Sequence, residues 1–389
     1  MPSSKRSKER ALLFALSAAV FMVNLDARVV APLLPTLAEE LGVSVARAGW
    51  LVSAYQLPYG LFQLAFGPLA DRFGKITVCC YAMAAFSVGT ACCALWPSFY
   101  AIVTLRALTG AAAAGLIPLT LAYIGDTVPY EKRQTTIATL MASGAAAQAF
   151  STSAGGAIAT VTSWRAVFPI LGVLAGVVTA ALFLFRKGER RVAASPGQRR
   201  YADVLRAPAM RTLLVLVAVE GFLFMGTFSF LSVLLEERFG MDAFQIGLVL
   251  GLTGVSQMVA AFFLGRLLKR IAERRLLASG GVMMAVAYLM SAFSTHWGLV
   301  GAACALMGVG FISCHTTLQT RATEIFPAAR GTAVALFAFS LFAGSGVGSL
   351  LFAASLEAFG SLLTFAVSGC ALFAFTFAAV RKLAPATPV

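Results

Sequence analysis

Residues 67–75 read Gly67-Pro68-Leu69-Ala70-Asp71-Arg72-Phe73-Gly74-Lys75, a compact charged loop set between two long apolar runs. Part of it returns in frame. Gly265-Arg266-Leu267-Leu268-Lys269-Arg270 begins 198 residues later. The same offset relates Asp126-Thr127-Val128-Pro129 to Glu324-Ile325-Phe326-Pro327, and Gly110 to Gly308. Three landmarks with one shift describe two copies of a unit of roughly 200 residues, a parallel repeat of the kind found in membrane carriers.

Composition places both copies in a bilayer. The chain is 59% hydrophobic and 12% charged, with a mean hydropathy of +0.86, whereas about a quarter of a soluble domain is charged. A span needs about 20 apolar residues. Twelve such stretches can be drawn, at 11–38, 50–69, 76–96, 99–123, 135–161, 165–185, 211–235, 243–265, 276–295, 297–320, 331–356 and 360–380. Membrane strands would alternate in segments of about 10 residues, and no such pattern is present. The expected fold is all-α, with six helices in 11–185 and six in 211–380. A cytoplasmic tail (1–10), an Arg-rich linker (186–210) and a second tail (381–389) complete the chain.

The net charge of +14 invites a nucleic-acid reading, but its distribution argues for topology. Of 30 Lys and Arg, 25 fall in the termini and on the loops of one side. The positive-inside rule puts that side, with both termini and the linker, in the cytoplasm. The excess also suits anionic headgroups. The seven cysteines all lie within spans and show neither a disulfide framework nor metal-ligand spacing.

On these residues the chain resembles the major facilitator superfamily, in particular its twelve-helix drug–proton antiporter and sugar-efflux branches. Gly67 to Lys75 is similar to that family's loop between helices two and three. Ile102 through Arg106 to Gly110 and Ala113-Ala114 resembles its helix-four signature, with Thr109 and Ala112 where Gln and Gly are commoner. Leu25-Asp26, followed by Leu34-Pro35, resembles helix one of efflux members, and Ala54-Tyr55 fits helix two. Two positions depart from the pattern. Arg28 stands where Thr is usual, and Ser151-Thr152 replaces a Gly-Pro four residues before the paired glycines Gly155-Gly156. The resemblance implies alternating access between two bundles in the cell inner membrane, driven by a proton gradient with no other cofactor. Small-molecule substrate, protons and the lipid bilayer are the expected partners, with no nucleic acid, and a monomer is expected.

Charge within a bilayer costs at least about 2.5–3.5 kcal/mol per residue, so the few ionisable groups inside spans are the candidate machinery. Asp26 lies about 22 Å along its helix at 1.5 Å per residue, near mid-span. There it is either protonated or held ionised by a cation, which makes it a candidate proton carrier or half of a fixed ion pair. Arg106 keeps its proton and needs a carboxylate or water; the resemblance assigns it to proton coupling. Glu220 sits at similar depth in the second half, bordered by Phe222, Phe224, Phe228 and Phe230. A carboxylate among rings suits a flat cationic substrate, while rings facing lipid are the plain alternative. Asn24, Arg28, Tyr55, Gln56, Phe222, His315 and Gln319 are the candidate substrate contacts. His315 reads as an isolated histidine, and no nucleophile–base set or metal cluster can be drawn, so an enzyme is not expected.

The loop residues form a candidate cytoplasmic gate. Gly67 and Gly74 are expected to permit the turn. Asp71 is expected to dock on the positive N-terminus of the eleventh helix near Gly331, with Arg330. Arg72 and Lys75 are expected to pair with acids such as Asp126 or with lipid phosphates. Export by proton antiport is the leading expectation. Uptake or uniport is the rival within transport, kept open by Ser151-Thr152. A membrane sensor or scaffold is the rival from another class; it would be expected to carry a sizeable soluble module, and no stretch reads as one.

Overall fold

The computed structural model describes residues 2–186, 200–267, 271–326 and 330–383, and all regular structure among them is helical. Besides the short helices Val45–Ala48 and Arg200–Arg206, twelve helices account for it. They are α1 (Pro2–Val29, prolonged by a turn at Ala31–Leu33 and a short helix Leu34–Glu40), α2 (Trp50–Phe73), α3 (Lys75–Cys92), α4 (Phe99–Ala113, prolonged by Leu116–Thr127), α5 (Tyr130–Val161) and α6 (Trp164–Phe185). The second half contains α7 (Pro208–Glu220, continuing to Phe239), α8 (Ala243–Leu267), α9 (Glu273–Ala292), α10 (Trp297–Ile325), α11 (330–359) and α12 (361–382). The last two run into one another at Gly360, whose φ of 75° breaks the helix without a Cβ clash.

Among the described residues, nine helical stretches are long and apolar enough to cross a membrane, the last of them being α11 and α12 together. The two helices missing from that set, α2 and α5, are 24 and 32 residues long but more polar. Both lie on the seam: α2 packs against α11 and α5 against α8, joining first half to second. Of the expected linker, 187–199 lie outside the described residues; Arg200–Arg206 forms a short helix whose Tyr201 hydroxyl donates to the Leu64 carbonyl of α2 at 3.4 Å. The expected echo at 265–270 is described only to Leu267, and 384–389 of the C-terminal tail are also outside the described residues.

Small residues set helix separations, as they must where no water drives association. They serve two jobs. A Cβ on Gly110 would stand 2.2 Å from the Tyr55 carbonyl oxygen, and one on Gly344 would stand 1.9 Å from that of Ala218, so these glycines close each half on itself. Gly156 meets the Ala243 carbonyl and Gly346 the Leu57 side chain, across the seam. Gly155, Gly344 and Gly348 also pack within their own half.

The motif at 67–75 is not the loop that its charge suggests. Gly67 to Phe73 continue α2, with Pro68 inside the helix, and the chain turns on Gly74 alone (φ 93°) before α3 starts at Lys75. Gly74 carries the conformational demand. Gly67 has no positive φ, and a Cβ there would meet nothing within 4 Å.

Candidate functional site

The first buried pair joins α1 to α4. Asp26 is 0% exposed and Arg106 1%. Arg106 Nη1 donates to Asp26 Oδ2 at 2.7 Å and Nη2 to the Asp26 carbonyl at 3.5 Å. The guanidinium also lies over the Tyr55 ring, 4.3 Å from its centroid. Asp26 Oδ1, Arg106 Nε and the Tyr55 hydroxyl have no hydrogen-bond partner among the described residues. The pair is thus charge-compensated but not fully satisfied, and it is sealed.

Glu220 of α7 is equally buried, at 0%. His315 is not isolated: its Nδ1 lies 3.1 Å from Glu220 Oε2, linking α10 to α7. The imidazole stacks on Phe311 (4.7 Å, 17°), which stacks on Phe224 (4.8 Å, 16°), and Phe337 lies 5.1 Å away. The His315 side chain retains 14% exposure, and Glu220 Oε1 is without a partner. The five residues after Glu220, Gly221–Met225, form a π turn, a feature frequent at functional sites. Phe224, Phe228 and Phe230 are 0%, 3% and 0% exposed, so these rings face the interior of the protein rather than lipid, with Phe228 at the edge of a small internal cleft. Phe222 is half-buried and packs on Phe352 at 5.2 Å.

A third group surrounds Arg28. Its guanidinium lies 5.1 Å from the Phe228 ring centroid and lines a small cleft with Gln148, Thr152, Thr253 and Gln257. Asn24 is one helical turn away; its amide donates to the Val20 carbonyl at 2.8 Å, and its carbonyl accepts from Gln148 Nε2 at 3.4 Å. Gln56 is used in the seam instead, accepting from the Ser345 hydroxyl at 2.5 Å. Gln319 is exposed, one turn beyond His315 toward the termini.

The seam is fastened unevenly. Ser44 donates to Glu357 at 3.3 Å, Thr152 and Ser153 both donate to the Gly247 carbonyl at 3.0 and 3.1 Å, and Tyr59 packs on Phe342 at 4.5 Å. All of these lie from mid-span to the end opposite the termini. Ser151, beside Thr152, donates instead to the Leu25 carbonyl within its own half. At the terminal end the motif is unfastened. Lys75 pairs with Asp126 inside the first half, and Arg72 lies over Phe73. Asp71 and Arg330 are exposed and make no hydrogen bond or ion pair with the described residues, so the expected docking of Asp71 is not made in this conformation. An opening of about 250 Å³ at the opposite end, bordered by Pro32, Pro35, Glu236 and Asp242, touches neither buried pair.

The profile of the Major Facilitator Superfamily matches residues 16–349 and 213–389. The chain belongs to this superfamily. An uncharacterized MFS-type transporter of Bacillus subtilis, YceJ, is 30% identical over 341 residues, 85% of each chain. The efflux pump dotC of Dothistroma septosporum is 34% identical over 176 residues, which are 45% of this chain and 30% of that one. Among solved structures, the nucleoside transporter NupG superposes with a TM-score of 0.80 at 12% identity, covering 96% of this chain and all of that one. A bacterial homologue of the human lysosomal transporter Spinster, in an inward-facing unoccupied conformation, gives 0.77 at 17%, covering 96% and 95%. The fold is that of a superfamily transporter, and the chain is a multi-pass membrane protein whose partner is a small molecule.

The sequence marked every ionisable member of the two pairs but joined neither. Asp26 and Arg106 are 80 residues apart, and Glu220 and His315 are 95 apart, on helices that only tertiary packing brings together.

Proposed function

We propose that this chain is a secondary active transporter of the cell inner membrane, with both termini cytoplasmic, that exports small amphipathic or sugar-like compounds against a proton gradient. Asp26, Arg106 and Glu220 are the proton-coupling groups. Glu220 exchanges protons with the cytoplasm-facing side through His315, while the Asp26–Arg106 pair holds charge apart from water until the halves rearrange. The observation that carries this reading is the Glu220–His315 contact, which ties a fully buried carboxylate to a side chain with residual access, while the hydrogen bonds across the seam among the described residues lie from mid-span to the far end. Arginine-rich loops on the terminal side support the orientation, and the efflux names of relatives such as dotC support the direction.

The test is counterflow and net flux in liposomes, with a panel of dyes, sugars and nucleosides, with and without a pH gradient. Gradient-dependent export of a panel member that Glu220→Gln abolishes supports the reading. Flux indifferent to the gradient favours uniport or uptake, the reading that Ser151-Thr152 in place of Gly-Pro keeps alive.

A further inference from the structure

Four side chains that ordinarily carry full charge lie deep within the spans: Asp26, Arg28, Arg106 and Glu220. Three are accounted for. Asp26 and Arg106 neutralise one another, and Glu220 is engaged by His315. Arg28 has no carboxylate. Among the described residues it makes no hydrogen bond and no ion pair; its defined electrostatic neighbours are the face of Phe228 and the phenol of Tyr288. An arginine cannot become neutral by losing its proton, so at this depth its charge needs either water or an anion.

The surroundings of Arg28 are chemically one-sided. The cleft that it lines is bordered by Gln148 and Thr152 of α5 and by Thr253 and Gln257 of α8, so both halves contribute. Amides and hydroxyls supply hydrogen-bond donors, and no Asp or Glu is among the lining residues. Gln257 is 8% exposed and makes no hydrogen bond with the described residues, leaving a buried amide free beside an unpaired guanidinium. In this conformation the cleft encloses about 10 Å³, room for at most about one water. It lies where the Thr152–Gly247 contact draws α5 and α8 together, so it widens as the halves part at that end.

We propose that Arg28, with Gln148 and Gln257, is the anchor for an anionic group of the transported compound, a carboxylate, sulfonate or phosphate on an amphipathic body. Phe228 then offers the apolar body a ring next to the anchored head. This deepens the transport reading, on which it rests, and changes the substrate class that the sequence suggested. Glu220 among phenylalanines pointed to a cation; the structure occupies that carboxylate with His315 and leaves the unpaired charge positive.

The test uses two dyes of one xanthene scaffold and opposite charge, fluorescein and rhodamine 6G. Their binding to the full chain in nanodiscs is read by fluorescence anisotropy, which needs neither transport nor a pH gradient. Wild-type protein in phosphatidylcholine nanodiscs is expected to prefer fluorescein. Arg28→Thr is expected to weaken fluorescein about ten- to a hundredfold, as loss of a charge-assisted contact does, and to spare rhodamine 6G. Arg28→Lys is expected to recover most of the loss, and Gln257→Leu to reproduce part of it. A wild-type preference for rhodamine 6G overturns the proposal without any variant, as does an equal loss of both dyes in Arg28→Thr protein that elutes as a folded monodisperse peak. Phosphatidylglycerol nanodiscs separate the sources of anion: if that lipid displaces fluorescein from wild-type protein but leaves the residual binding of Arg28→Thr unchanged, Arg28 holds a headgroup and the substrate assignment falls. Fluorescein binding that depends on Arg28, together with flux that ignores the pH gradient, would sink the proton-coupling reading and leave this one standing. Gradient-driven export of rhodamine 6G with no Arg28 dependence would do the reverse.

Discussion

The two halves share a fold and a 198-residue period, yet their buried charges do not follow it. That offset places Phe224 opposite Asp26 and Cys304 opposite Arg106; it places Met22 opposite Glu220 and Ile117 opposite His315. Each half therefore places its own pair at its own positions on equivalent helices, α1 and α4 in the first and α7 and α10 in the second, with different chemistry. The first joins a carboxylate to a permanent cation and admits no water. The second joins a carboxylate to an imidazole whose side chain retains 14% exposure. An arginine is a permanent cation, whereas a neutral imidazole offers one nitrogen that donates and one that accepts. In the proposed mechanism the first pair holds charge and the second passes protons.

The largest expected effect tests the holding half. Asp26→Asn leaves Arg106 charged at 1% exposure without its partner, and breaking a buried pair from one side costs about 3–5 kcal/mol. A marked drop in melting temperature is expected for Asp26→Asn and for Arg106→Gln. The double variant Asp26→Asn, Arg106→Gln is expected to recover much of it, because no lone charge remains. Equal melting of the Asp26 variant and wild type would mean that the pair is already broken in the membrane.

The proton-passing half predicts a different signature. His315→Asn keeps a polar partner near Glu220 Oε2 but removes the imidazole proposed to relay protons, so the dependence of flux on pH is expected to flatten. Melting temperature is expected to change less than for Asp26→Asn, since His315 sits at the edge of the packed core. A pH profile that keeps its shape in His315→Asn protein would put the relay elsewhere and erase the contrast between the halves.

A smaller effect concerns the seam. Thr152→Val keeps the volume of the side chain and removes its hydrogen bond to the Gly247 carbonyl, which Ser153 also serves. One such bond is worth about 1 kcal/mol net, so the population closed at the end opposite the termini is expected to fall about fivefold. Distances between spin labels on α5 and α8 read it directly; an unchanged distribution would show Ser153 to be sufficient.

How much of this was legible in the sequence depends on which physics set each feature. The helices were, because apolar length near 20 residues is a local property. Helix continuity through the motif was not. Charge and two glycines read as a loop, but Leu69-Ala70-Asp71-Arg72-Phe73 has no residue that ends a helix, and only Gly74 takes a positive φ. The pairing of His315 with Glu220 left no local trace, and the repeat could not supply it since Ile117 and Met22 hold the equivalent places. Arg28 was visible as a departure from the family pattern, yet its lack of a carboxylate became readable only once Asp26 was seen turned toward Arg106.

The smallest expected effect belongs to Asp71, and it isolates the opposite conformation. Asp71 is exposed and makes no bond with the described residues, and a Cβ on Gly331 at the start of α11 would meet nothing within 4 Å. Removing the charge of Asp71 therefore costs this conformation nothing. In the state closed at the termini, a carboxylate near the α11 N-terminus is worth about 0.3–1 kcal/mol. Asp71→Asn is thus expected to favour the conformation seen here by about two- to fivefold. Gln319, exposed one turn from His315, supplies the reporter: Gln319→Cys, with the native cysteines replaced, should label faster from the terminal side when Asp71→Asn is added. Because the charge has no partner to lose in this conformation, any change in labelling reports on the closed state alone. An unaltered rate would leave the motif to Lys75 and its pairing with Asp126, a bond that ties α3 to α4 and closes nothing between the halves.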